Sequence, residues 1–418
     1  MRLNRRSFIG SMAILGASAA LPSTVRADDS IWDMFARSRV LKSTDREGNT
    51  LAANATIETI EPILSVDTAY NLQNAITLYE PFVAAGGWED TPREVYGLIL
   101  GNSRNSVIAL KRRLMSSADL PADAKVDDMF DAPLDQALRK FQARHGLLVN
   151  GQVDEATFYA LAVPADVRLN QLKLNLQRVS TISQQLGDRY LVVNIPAASI
   201  EAIEGSQVVQ RHVAVVGRID RQTPILHSKV QQINFNPYWH VPKSIIQKDL
   251  IEYMKKDPTY LTEQKIHIYD SKGKELQATD IDWNTNEAVN YMFRQEPGAE
   301  NSMGHVKINF PNPYDVYLHD TPDKSLFGEN SRFHSSGCMR VGEVQSLVSW
   351  ILTSNGGWEL PNVQSAFDSN ERLDVQVKQP TPIHTTYITA WANRQGTVSF
   401  RDDVYKFDEQ GKVNFDKA

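Results

Sequence analysis

The run Arg332-Phe333-His334-Ser335-Ser336-Gly337-Cys338-Met339-Arg340-Val341, with Tyr317-Leu318-His319-Asp320-Thr321-Pro322 upstream of it, decides how this chain is read. It holds the only cysteine among 418 residues. A chain that starts with an export signal and uses cysteine for stability needs cysteines in pairs, and a single one forms no internal disulfide. Cys338 is therefore either a small core residue or a thiol kept for chemistry. A thiol that acts as an acyl-transfer nucleophile needs a base for its proton, donors for an oxyanion and an electropositive setting. His319, at the end of an expected strand over 314–318, is the candidate base. Gly337 has no Cβ and lets backbone come close to a substrate, so the amides of Gly337 and Cys338 are the candidate oxyanion donors. An expected helix from near Gly342 points its positive end back at Cys338 and favours a thiolate. Arg340 adds fixed charge able to hold a substrate carboxylate, with a structural ion pair as its plainer reading.

The N-terminus reads Met1-Arg2-Leu3-Asn4-Arg5-Arg6-Ser7-Phe8-Ile9, and an apolar run over 8–21 and the small-x-small site Val25-Arg26-Ala27 follow. The pattern predicts a twin-arginine signal peptide over 1–27; the run is short for a spanning helix, the other reading. No later stretch is long and apolar enough to span. A hydrophobic fraction of 42% is ordinary for a globular chain, and the length suggests two or three domains. The formal charge of −6 argues against a general nucleic-acid binder. Nine histidines are present without a Cys-x-x-Cys or His-Glu-x-x-His spacing. No cofactor is implied, and a metal site from His319, His334 and Cys338 lacks a familiar zinc spacing and a fourth ligand.

Working outward, residues 28–90 read as amphipathic helical pieces. Residues 91–165 form a compact helical unit. Val107, Leu110 and Leu114 recur at helical spacing; Asp131 caps a helix carrying Leu134, Ala137, Leu138 and Phe141; Gly146 closes it. Asn150-Gly151 is a turn and Asp154 caps a last short helix. Leu169, Leu172 and Leu176 share one face of a linker helix over 166–187. From residue 188 to 418 the pattern turns to strands, expected over 190–195, 212–217, 229–235, 306–310 and 314–318, with tail strands over 386–391 and 397–400. An insertion of about 243–302 interrupts them, helical over 245–254 and strand-like over 266–269. A long insertion beside a site acts as a lid, or as a packing subdomain. Val344, Leu347, Val348 and Ile351 form the face of a helix ending near Gly356-Gly357.

Two resemblances follow from these residues. Phe130-Asp131, Ala137-Leu138-Arg139-Lys140-Phe141-Gln142, His145-Gly146-Leu147, Asn150-Gly151-Gln152-Val153 and Thr157 make the helical unit resemble the peptidoglycan-binding domain of three short helices. Over about 188–405 the chain resembles the L,D-transpeptidases with the YkuD-type catalytic domain. Besides the two opening motifs, the likeness rests on Asn236-Pro237-Tyr238-Trp239-His240-Val241-Pro242, Arg294-Gln295-Glu296-Pro297-Gly298, Asn309-Phe310-Pro311-Asn312, Thr389-Ala390-Trp391 and Phe400-Arg401-Asp402-Asp403. It is most similar to the large periplasmic subgroup, which joins a peptidoglycan-binding domain to a catalytic domain with a capping insertion. The implied fold class is α+β and multidomain: a small helical domain and a mainly β catalytic domain with a helical and stranded lid.

The resemblance implies that Cys338 is the nucleophile and His319 the general base, with Tyr317 helping to polarise the carbonyl. It implies no cofactor and no metal. Where this family commonly has His, the chain has Ser336; His334 is the candidate substitute. The partners implied are peptidoglycan stem peptides, a tetrapeptide as donor and diaminopimelate as acceptor, joined in a 3→3 cross-link in the periplasm. Water, a protein lysine or a D-amino acid as acceptor would make it a carboxypeptidase, an anchoring enzyme or an exchange enzyme. A non-catalytic wall-binding scaffold is the remaining alternative.

Overall fold

A computed structural model describes residues 59–329 and 331–415. The signal segment over 1–27 and the first part of 28–90 lie outside the described residues. Among the described residues no helix is long and apolar enough to cross a membrane.

The helical unit forms for local reasons. Helix Ala132–Arg144 begins where Asp131 accepts the Leu134 amide, and helix Glu155–Ala162 begins where Asp154 accepts that of Thr157; such caps satisfy amides that have no partner inside the helix. With helix Ser106–Ser116 they enclose Val107, Leu110, Leu114, Leu134, Leu138, Phe141 and Leu161, all buried. Gln142 is buried among them and explains why the Asn150-Gly151-Gln152 turn follows at that distance. Its Nε2 donates to Asn150 Oδ1 and the Gln152 carbonyl, both at 2.8 Å, and to Thr157 Oγ1 at 3.1 Å, while its Oε1 accepts the Gly151 amide at 3.0 Å.

The larger sheet is nine-stranded, in the order β11-β3-β12-β10-β9-β4-β13-β1-β2, and an additional β2–β3 pairing closes it on itself. Its strands are β1 Arg189–Asn194, β2 Ser199–Glu204, β3 Gln207–Gly217, β4 His227–Phe235, β9 Val306–Asn309, β10 Leu318–His319, β11 Phe333–Ser335, β12 Met339–Val341 and β13 Leu373–Thr386. Because successive strand residues point to opposite faces, neighbouring residues of one strand meet different surroundings. Leu191 and Val193, Ala214 and Val216, Val306 and Ile308, Leu318, Met339 and Val341 face one cluster, shared with helix Val344–Ile351. Tyr190 and Val192 face the other way, onto helices Val66–Ala84 and Ala165–Ser183.

The insertion builds its own four-stranded sheet, β5-β8-β6-β7 (Trp239–His240, Met292–Gln295, Ile266–Tyr269, Glu275–Leu276). Lys243–Ile245, a π-helical turn over Ile246–Leu250 and Ile251–Lys256 run on end to end beside it. Its apolar cluster includes Val215 of β3, with Val213 and Tyr317 packed against it. The insertion therefore sits on the sheet face opposite the main core.

Two local expectations need correction, and one strand forms against its own composition. The strand expected over 314–318 shrinks to β10, because Asn312 holds a loop there: it accepts the Tyr314 and Val316 amides and donates to the Phe310 and Val316 carbonyls. β13 lies between β4 and β1 although it contains Pro380 and Pro382, which argue against a central strand; Pro380 falls where its register with β4 is irregular, between Gln376 and Thr381, while Pro382 stands in regular register opposite Lys229. The helix Ala165–Ser183 is wedged into the catalytic domain instead of simply spanning the gap. Gln171 donates to the Thr389 and Arg401 carbonyls, and Arg178, buried, donates to the Tyr387 and Lys412 carbonyls and pairs with Asp408 at 2.5 Å.

Removing one member of a buried ion pair leaves the other charge without compensation. Arg178→Met should lower the unfolding free energy by about 3 kcal/mol, and denaturant unfolding of the full chain measures it.

Candidate active site

The site follows from strand register. β10 pairs with β12 in parallel, Leu318 opposite Met339 and His319 opposite Arg340. β9 pairs on the other side of β10, with Lys307 opposite His319, and β3 places Val215 opposite Arg340. Lys307, His319, Arg340 and Val215 thus form one row across four strands, on the face that carries the insertion. The Met339 amide donates to the Tyr317 carbonyl at 3.1 Å, so Cys338 lies beside Tyr317, one step along from His319. Directly opposed side chains in such a ladder are about 5 Å apart at Cβ.

Contacts tighten this group. The rings of Tyr317 and His319 meet edge to face with centroids 5.7 Å apart, and Lys307 Nζ stands 4.2 Å from the Tyr317 ring centroid. Cys338 is half-buried, and the backbone and the hydroxyl of Tyr317 beside it favour its charged form. Trp239, from the first strand of the insertion, also bears on the Tyr317 hydroxyl. His319 is followed by Asp320, which accepts the His305 amide at 2.9 Å and pairs with Lys324. Gly304 allows this, since at its φ of +57° a Cβ would stand 2.3 Å from Asp320 Oδ2.

Burial and charge set the protonation states. Burial pushes the Cys338 thiol up, with contacts from Tyr317, Lys307 and Arg340 pulling the other way. Burial also lowers His319 to about 3, and neighbouring Arg340 and Lys307 add to it by repelling imidazolium. Burial lowers Lys307 and Arg340, and raises Tyr317 well above its ordinary value. The resting pair is therefore a neutral thiol and a neutral imidazole. Among the described residues His319 Nδ1 and Nε and Nη1 of Arg340 are buried without a hydrogen-bond partner of good geometry, and contact of His319 with the Asp320 backbone opposes the lowering of its pKa. Buried polar atoms are rarely left so.

The helix Val344–Ile351 begins six residues past Cys338, with β12 between them; a helix terminus acts within its first turn. The Gly337 amide donates to Ser335 Oγ at 3.2 Å, inside the turn, and so is not an open oxyanion donor. What requires glycine at 337 is its φ of +116°. His334 does not replace the missing histidine at 336: its Nε2 lies 2.9 Å from Glu329 Oε2 and 2.7 Å from the Ser331 carbonyl. Among the described residues no group of three or more His, Cys, Asp or Glu side chains gathers as a metal cluster would.

Lys307 and Trp239 were not picked out as site residues in the sequence. The alternation Val306-Lys307-Ile308-Asn309 shows that Lys307 faces away from the core; only register shows what it faces.

A histidine in an unfolded chain takes its proton near pH 6.5, whereas folded His319 does so near 3. Between those values only the unfolded state gains the proton, so stability falls as pH falls through that window. The loss of unfolding free energy between pH 7 and pH 4 should be smaller in His319→Gln than in wild type by about 3 kcal/mol, measured by denaturant unfolding at both pH values.

Residues 188–361 match the YkuD family model, described as the L,D-transpeptidase catalytic domain, and residues 103–161 match a model described as "Putative peptidoglycan binding domain". A "Putative L,D-transpeptidase" of Haemophilus influenzae is 31% identical over 250 residues, 59% of this chain and 50% of that protein. The chain thus spans about half the length of the curated relative it matches. Solved L,D-transpeptidases from Xylanimonas cellulosilytica (15% identity, 70% of this chain and 98% of that one, TM-score 0.22) and Mycobacterium smegmatis (14%, 48% and 58%, TM-score 0.23) are also similar, at a level that adds nothing to the geometry. Residues 188–361 are an L,D-transpeptidase catalytic domain of the YkuD family, joined in one chain to a domain of the peptidoglycan-binding family at 103–161.

Proposed function

We propose that this chain is a cysteine-dependent L,D-transpeptidase that makes 3→3 cross-links in peptidoglycan. The observation that supports it is the parallel β10–β12 register, which sets Tyr317, His319 and Arg340 on the sheet face that carries the insertion, with Cys338 beside Tyr317 in the turn before β12. In the first half-reaction Cys338 Sγ attacks the carbonyl at the L-centre of the third-position diaminopimelate of a tetrapeptide stem. The C–N bond to D-alanine breaks, an S–C thioester bond forms, and the thiol proton passes through His319 to the departing amine. In the second half the side-chain amine of a neighbouring diaminopimelate attacks the thioester. Its proton returns through His319 to the sulfur, and an amide remains.

Because both groups rest neutral, the proton leaves the thiol as the S–C bond forms, and a standing thiolate–imidazolium pair is not required. Tyr317 and the Cys338 amide are the donors for the oxyanion. Arg340, with two buried unpartnered nitrogens, takes a carboxylate of the stem peptide, since guanidinium–carboxylate pairing satisfies such donors. The insertion keeps water from the thioester until an amine arrives. The substrate lies outside the cytoplasm, and the Arg5-Arg6 signal carries the protein to the periplasm.

Wild type incubated with tetrapeptide-bearing muropeptides should give, by mass spectrometry, a dimer with a 3→3 link and free D-alanine, and Cys338→Ala should give neither. Production of tripeptides alone would replace this reading with an L,D-carboxypeptidase.

A further inference from the structure

A polar chain connects the insertion to the turn that carries Cys338. Arg221 lies in the loop after β3. Its Nη1 donates to Ser336 Oγ at 2.9 Å, and the guanidinium forks onto Asp249, Nη1 to Oδ2 at 2.5 Å and Nη2 to Oδ1 at 2.8 Å. Asp249 is 3% exposed and belongs to the π-helical turn Ile246–Leu250 of the insertion. π-Helical turns are rare and recur at functional sites. Asp220 stands 3.7 Å from Arg221 Nε and is itself paired with Arg218.

The same loop grips the turn a second time. Thr223 Oγ1 donates to the Gly337 carbonyl at 2.9 Å, and the Thr223 amide donates to Tyr405 Oη. That grip stays inside the catalytic domain, whereas the one through Arg221 reaches the insertion. A planar fork meets both carboxylate oxygens and a hydroxyl from two nitrogens in fixed geometry, whereas an ammonium offers a single nitrogen.

We propose that Arg221 is a positioning residue, held by Asp249 of the insertion and holding Ser336, so that the nucleophile turn takes its working geometry only when the insertion is seated on the sheet. The inference rests on the reading of Cys338 as the reactive thiol. Ser336, standing where the family commonly has histidine, is on this account the handle by which the turn is held and takes no part in proton transfer. Seating of the insertion and readiness of the thiol become one event, which suits an enzyme whose thioester must not meet water.

The test is alkylation of Cys338 by iodoacetamide, followed by intact mass from pH 5 to 10, on the full chain with thermal unfolding in parallel. The proteins are wild type, Asp249→Asn, Arg221→Lys, Ser336→Ala and the Asp249→Asn/Ser336→Ala double variant. Alkylation needs no peptidoglycan, so inactivity of wild type on muropeptides would sink the proposed reaction without touching this measurement. The expected result is an alkylation rate changed about threefold or more in each single variant, with a displaced pH midpoint, and no further change in the double variant, as coupled residues behave. Rates and midpoints equal to wild type, whatever happens to thermal stability, would overturn the proposal, as would effects that add in the double variant. Should the charge variants fail to fold, Ser336→Ala leaves the Arg221–Asp249 pair intact and decides alone: a wild-type profile overturns the proposal and a displaced one supports it.

Discussion

The site depends on one constraint, the parallel register of β10 against β12. Leu318 opposite Met339 buries both in the main core, and alternation then obliges Tyr317, His319 and Arg340 to share the other face. A slip of one residue would send the histidine and arginine into the apolar interior and Leu318 outward. The core therefore fixes the chemistry: the same apolar side chains that hold the sheet together decide which polar ones meet Cys338.

Covering this face changes what the residues do. The insertion packs on it through Val213, Val215 and Tyr317, and water is displaced from a row holding Lys307, His319 and Arg340. Burial disfavours every charge in that row, and the two cations lower His319 further. The result is a neutral, poised pair in place of the preformed ion pair that a cysteine beside a histidine suggests. Under the proposed function, a substrate carboxylate on Arg340 would remove part of that repulsion and so link binding to activation of the base.

Much of the local structure was legible. Asp131 and Asp154 cap the helices they were expected to cap, because a cap involves residues three apart. The apolar faces of helices Ala132–Arg144, Ala165–Ser183 and Val344–Ile351 follow a 3.6-residue period that the sequence displays. The cysteine motif and His319 were legible as residue types in a pattern. β13 was not, since its prolines speak against a central strand, and the irregular register that makes room for Pro380 arises only on pairing with β4. Asp249 and Arg221 were not either: each looks like an ordinary surface charge until tertiary contact pairs them.

The sequence by itself determined which groups were available: one thiol, a histidine at a strand end, an arginine two residues past the thiol, and a glycine that only a positive φ explains. The tertiary structure decided their company and their protonation. Lys307, Trp239 and Arg221 reach the site from β9, the insertion and the loop after β3, and no local pattern reports such contacts. The direction of each pKa shift is likewise a tertiary property, because desolvation depends on what covers a side chain, and here a separate subdomain does the covering.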